Sequence, residues 1–210
     1  MIRFRLSCRR LLRLSGRFEV GPANVRDVSY IAGNLRACDR QEIFCQLPAG
    51  SSASDIGFIC TRPGTSFIAY LDGRPVMVFG FDPITLAGNA LNAWAFGTGN
   101  SRYVMRHVTG WVKDNLLREW ICNGITRIEA RSIAQHKSAH RWLKAIGAVE
   151  EGPIGGLGRD GENFILFAWH RNRLKPTLRL LSRFMETRKH VHVETENCNT
   201  ETSAHSPKAR

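Results

Sequence analysis

No apolar stretch in this 210-residue chain reaches the roughly 18 residues that span a bilayer as a helix, so no transmembrane segment is expected. The cysteines, Cys8, Cys38, Cys45, Cys60, Cys122 and Cys198, form no CxxC pair and none stands beside a histidine at a ligand spacing, so no zinc or other metal site is expected. The chain is long enough to build a core without disulfides, and these residues read as reduced, mostly buried thiols of an intracellular protein. No internal repeat is present. The glycines of "GPIGGLGRDG" lie between strand patterns and open no helix, which rejects a dinucleotide fingerprint.

Acid is missing from the start of the chain. Residues 1–17 carry six arginines and no carboxylate, and residues 171–189 carry seven basic residues against Glu186. Residues 18–170 balance 15 basic residues against 14 acidic ones. The formal net charge of +12 therefore belongs to the two ends. A basic footprint suits nucleic acid or an anionic membrane, and here it would act through arms on a near-neutral domain. "MIRFRLSCRRLLRLSG" resembles an organelle-targeting segment in composition but has no uninterrupted apolar core; the other reading is an extension ahead of a domain beginning near Phe18. After Trp169, Pro176 suits a first helical turn, and Leu178, Leu180, Leu181, Phe184 and Met185 among arginines predict a basic amphipathic helix over 171–190. The polar residues 191–210 predict a disordered tail.

The body, 18–170, alternates strand and helix signals. Phe18–Val20 reads as a short strand. Asn24 caps a helix carried by Val25, Val28, Ile31, Ala32 and Leu35, with Arg36, Asp39 and Arg40 near its end and a second helical piece over Gln41–Leu47. Pro48 to Ser54 reads as loop. Two apolar strands flank Asp72-Gly73, a tight-turn signal, and a third follows over Asn89–Gly97, giving an antiparallel meander. Tyr103–Trp120 is helical by spacing. Strand Arg127–Ile133, helix Gln135–Ile146, its Gly147 stop, strand Ala148–Glu151 and strand Phe164–Trp169 complete the order. Asp160-Gly161 reads as a hairpin turn, Arg127, Glu129 and Arg131 as a solvated charge ladder, and His107 as a core or boundary residue. The five tryptophans read as core and interface.

The stretch "HKSAHRWLKAIGAVEEG" with "RDGENFILF", behind "VRDVSYIAGNLRACDRQEI", resembles the GNAT (acyl-CoA N-acyltransferase) family over residues 18–170. Within it, the closest similarity is to small GNAT-like internal virion proteins of short-tailed phages. The resemblance implies an α+β fold: a mixed, mostly antiparallel sheet with helices on both faces, whose central strands splay to admit acetyl-CoA. Backbone and a helix N-terminus would then meet the pyrophosphate. The loop in that place is "FGTGNSRYVMR", so Phe96, Gly97, Thr98, Gly99, Asn100, Ser101 and Arg102 are the candidate cofactor contacts, joined by Ser138. The family's glycine spacing is absent, and the plain alternative is a turn capped by Asn100 or Ser101. "NALNAWAFGT" holds no carboxylate to serve as base, and Leu143 stands where the family commonly places a tyrosine acid. His136, in the place of a cofactor-contacting asparagine, is the candidate catalytic base; its plain alternative is a capping or solvent-facing residue.

Three functions follow as expectations. The first is a phage protein of the virion or its assembly, in host cytoplasm or particle, partnered by virion proteins, with degenerate or absent acetyltransferase activity. The second is an active acyl-CoA-dependent N-acyltransferase. The third is an accessory protein that binds nucleic acid or an anionic membrane through 1–17 and 171–190.

Overall fold

The computed structural model describes residues 18–171; the arm at 1–17, the tail at 191–210 and all of 171–190 except Arg171 lie outside them. The elements run β1 (Phe18–Pro22), α1 (Val25–Gly33), α2 (Ala37–Phe44), α3 (Ala53–Cys60), β2 (Ser66–Leu71), β3 (Arg74–Pro83), β4 (Ala90–Gly97), a 3₁₀ turn (Gly99–Tyr103), α4 (Met105–Trp111), a π-helical turn (Val112–Leu116), α5 (Leu117–Cys122), β5 (Arg127–Ile133), α6 (Lys137–Ala145), β6 (Val149–Ile154) and β7 (Phe164–His170). The strands form one seven-stranded sheet in the order β1-β2-β3-β4-β5-β7-β6. Only β4 and β5 run parallel; the other pairs are antiparallel.

The meander closes as its turn chemistry requires. Asp72 and Gly73 both hold positive φ, 51° and 75°, the conformation a two-residue hairpin demands. Side chains alternate across the sheet. Ile68, Val78 and Phe96 point to one face and pack with Val28, Ile31, Ala32 and Ile56 of α1 and α3. Phe67 and Phe79 point to the other and meet Trp111 of α4; Phe81 meets Trp120 of α5, and Phe167 meets His140 of α6. Helices thus cover both faces, α1–α3 on one and α4–α6 on the other.

Two local readings change. The helical pattern through "NVRDVSYIAGNLRACDRQEI" is broken in two. Asn34 turns its Nδ2 back to the Tyr30 carbonyl, and the chain then pairs with the end of β4 through a Leu35–Thr98 bridge and an Arg36 N–H to the Gly97 carbonyl at 3.2 Å. A strand-edge pairing outweighs helical continuation there. The loop expected from Pro48 runs only to Ser52, because Ser52 and Asp55 cap each other reciprocally and start α3, a capping box. Ser52→Ala is expected to lower stability by about 1 kcal/mol, read as a shift in the urea midpoint at constant slope.

The cysteine expectation holds only in part. Cys45, Cys60, Cys38 and Cys122 are free thiols, but Cys38 and Cys122 are exposed. Burial raises Cys45 to about 11 and Cys60 to about 12, so those two stay protonated and unreactive near neutrality. His107 lies half-buried and stacks on Phe18 at 4.9 Å.

Candidate active site

Strands β4 and β5 are joined by three residue pairs, Ala90–Arg127, Leu91–Ile128 and Asn92–Glu129. Beyond Asn92 they part: β4 continues to Gly97 bonded to β3, and β5 to Ile133 bonded to β7. The direction of the freed backbone follows from the ladder. Thr98 N–H donates to the Val76 carbonyl at 2.9 Å, so Thr98, Phe96 and Trp94 turn their main chain toward β3. Ala93, Ala95 and Gly97, alternating with them, turn theirs into the gap. Asn92, Ala93, Trp94 and Ala95 lie in the middle of the sheet yet are only half-buried, and a cavity of about 420 Å³ opens there.

The far end of the gap is bridged by α2. Asp39 Oδ2 accepts the Gly97 N–H at 2.7 Å and pairs with Arg36 Nε at 2.8 Å. One turn on, Glu42 Oε2 accepts from Ser132 Oγ at 2.9 Å, from Ile133 N–H at 3.2 Å and from His136 Nδ1 at 2.8 Å. His136 stands between the two carboxylates, its Nε2 3.6 Å from Asp39 Oδ1, beyond hydrogen-bond reach. Nε2 is buried without a hydrogen-bond partner among the described residues. In the tautomer that gives Nδ1–H to Glu42, Nε2 is the ring nitrogen that can carry a lone pair. His136 is 4% exposed and Asp39 2%, so the sequence alternative of a solvent-facing histidine fails. His136 also occupies the N-cap position of α6 without a side-chain capping bond.

Burial pushes the Asp39 carboxyl upward, opposed by Arg36, the Gly97 N–H and His136. A raised acid favours folding most below the ordinary value of 3.8, and that contribution fades as pH climbs from there through the folded value. Among the described residues no group of three or more His, Cys, Asp or Glu side chains could hold a metal ion, and no helix is long and apolar enough to cross a membrane.

Of the residues singled out from sequence, His136, Ser138 and Arg102 line the cavity. Ser138 and Arg102 are exposed at its rim, with the Arg102 guanidinium 4.6 Å over the Tyr103 ring. Phe96 turns its ring into the core beside Trp94, at 5.9 Å between centroids. Gly97 has both main-chain groups engaged by α2 and its approach; a Cβ there would stand 2.7 Å from that of Ser101. Thr98, not Asn100 or Ser101, caps the following turn, accepting the Asn100 N–H at 3.3 Å. Gly99 and Asn100 are exposed, and Ser101 Oγ is buried with no partner among the described residues. Leu143 is buried and lines the cavity. Sequence reasoning missed Asp39 and Glu42 as site residues. The one available signal was a pair of acids three residues apart in a helix with little apolar stripe. Arg127, Glu129 and Arg131 do form a ladder of ion pairs, extended by Glu151 and His170.

The apolar wall lies on the α4–α6 face. It is built by Met77, Phe79, Met105, Val112, Leu116 and Trp120, over the small side chains of Ala93, Ala95 and Ala130. The α1–α3 face contributes Trp94 instead. Its Nε1 donates to Asp82 Oδ2 at 2.9 Å, and Asp82 is fixed in turn by Arg62 at 2.8 Å. The indole lies across Gly80, where a Cβ would meet it at 2.6 Å.

No profile of a known protein family matches the chain, and no curated protein matches it in sequence. Solved structures do match. An aminoglycoside acetyltransferase in complex with coenzyme A aligns at a TM-score of 0.57 and 12% identity, covering 76% of this chain and 98% of that one. A GNAT-family acetyltransferase from Bacillus anthracis aligns at 0.56 and 14%, covering 74% and 96%. The ribosomal-protein-S5-alanine acetyltransferase from Vibrio fischeri aligns at 0.52 and 17%, covering 74% and 93%. The phage half of the resemblance drawn from sequence finds no support in these comparisons. What the parted strands, the helix order and these neighbours establish together is the architecture: this chain has the fold of the GNAT acetyltransferases.

Proposed function

We propose that the protein is an acyl-CoA-dependent N-acyltransferase that uses the gap between β4 and β5. The observation that carries this reading is the free backbone of Ala93 and Ala95 facing a cavity, with the unpartnered Nε2 of His136 at its wall. A pantetheine arm needs amide partners along a strand edge, and an unpaired strand inside a sheet is otherwise costly. These residues fit the group. Ala93 and Ala95 would hold the pantetheine amides, and Arg102 with Ser138 would meet the phosphate end. Bound acyl-CoA supplies the activated thioester. His136 would take the proton of the acceptor amine at Nε2, while Glu42 fixes the ring through Nδ1. Leu143 offers no proton to the departing thiolate, so water takes that part.

Calorimetry with acetyl-CoA tests the reading. Micromolar binding is expected, weakened about tenfold by Arg102→Ala, on the scale of one lost charge-assisted contact. Absence of heat from the wild-type chain would overturn it.

A second reading is favoured by one specific observation: no carboxylate lies on β4 and an apolar Leu143 stands at the acid position. On it the fold is retained without catalysis, and the protein serves a phage particle or binds nucleic acid or anionic membrane through its basic ends. Presence in purified particles, with no acyl transfer, would favour this second reading over the first.

A further inference from the structure

We infer that the acyl group carried in this site is a medium-length hydrocarbon chain rather than acetyl, and that the chamber under α4, the π-helical turn and α5 receives it. The inference rests on the acyl-CoA reading given above and names the donor's acyl class.

The gap and the chamber differ in chemistry. The gap lies in the plane of the sheet, where Ala93 and Ala95 present N–H and C=O groups. The chamber lies out of that plane, on the face of Phe79 and Trp111. Met77, Phe79, Met105, Val112, Leu116 and Trp120 line it, and Trp120 is the one among these six with a polar side-chain atom. Pantetheine amides placed there would lose their water partners without replacement, at several kcal/mol each by transfer scales. Methylenes placed there gain. The two parts of an acyl-CoA therefore sort themselves: the polar arm in the plane, the apolar tail beneath the helices.

Room for the tail is written into small residues and a helical irregularity. Ala93, Ala95 and Ala130 point to this face, as their register partners Phe81, Phe79 and Phe167 do. They leave a low floor where a larger side chain would fill the space. Above it the helix widens: the Leu117 N–H reaches back to the Val112 carbonyl in a π turn, and Val112 and Leu116, four positions apart on one face, both line the cavity. Acetyl alone needs none of this.

The experiment is a titration of the full chain with CoA, acetyl-, butanoyl-, hexanoyl- and octanoyl-CoA. Affinity is expected to rise about fourfold per buried methylene until the chamber is full, with octanoyl-CoA at least about tenfold tighter than acetyl-CoA. Leu116→Phe, which shortens the chamber, is expected to remove most of that gain with chain length. Equal or falling affinity with chain length in the wild-type protein would overturn the inference while leaving acyl-CoA binding in place. Binding of none of the five would overturn the underlying reading and the inference with it. The wild-type series decides even if the variant does not fold.

Discussion

His136→Gln is expected to lower acyl transfer from acyl-CoA by about 10²–10⁴-fold, the range a positioned general base supplies, while leaving acyl-CoA affinity unchanged. Glutamine is chosen because its amide can still donate to Glu42, so the bridge between α2 and β5 is disturbed as little as possible. The rate should be followed as released thiol with the best acceptor from an amine panel. If His136 acts as base, kcat falls and the acyl-CoA Kd does not. If it serves only to hold the strands, folding stability falls and the rate per folded molecule stays. An unchanged kcat in a folded variant would remove His136 from the chemistry.

The second large effect is on the fold. Glu42→Ala is expected to cost about 3–5 kcal/mol, because one oxygen now satisfies three donors: Ser132 Oγ, the Ile133 N–H and the His136 ring. Its side chain is 13% exposed, so water does not replace the lost partner freely. Leaving three buried donors without their acceptor commonly costs this much. Glu42→Gln keeps an acceptor without the charge and should cost about 1–2 kcal/mol. Chemical denaturation of both variants measures the pair of values. A loss under about 1 kcal/mol for the alanine variant would mean that the three donors find solvent.

The contrast between these residues and the rest of the chain explains what was readable from sequence. Asp72-Gly73, the Gly147 stop and the alternation of β5 are local signals, and the meander, α6 and its flanking strands follow from them. The helix break at Asn34–Arg36 is not local, since it depends on pairing with Gly97 and Thr98. The site is less local still: Asp39 meets a residue 58 positions away, and Glu42 bonds across 90 positions to Ser132. Nothing in an acid pair on a short helix announces such partners. His136 was visible through the family resemblance, as the residue standing in the place of an asparagine, whereas the carboxylates that flank it were not. The cap of the 3₁₀ turn was misplaced for a related reason: Thr98 is chosen because Ser101 is buried beneath Gly97, a contact that propensity does not encode. The helix α3 was not read, although its capping signal in Ser52 and Asp55 is local, because the loop composition of residues 48–54 masks it.

The three-pair joint between β4 and β5 has a mechanical consequence. The sheet is two leaves, β1 to β4 and β5 to β7, bound along a short spine at Ala90–Asn92, and each leaf keeps its own antiparallel ladders. α2 grows from the first leaf and hooks the second through Ser132, Ile133 and the Arg159 N–H, which donates to the Cys45 carbonyl. A guest driven between the leaves turns one against the other about the spine without rupturing a strand. The hook, rather than the sheet, sets how far the book can open.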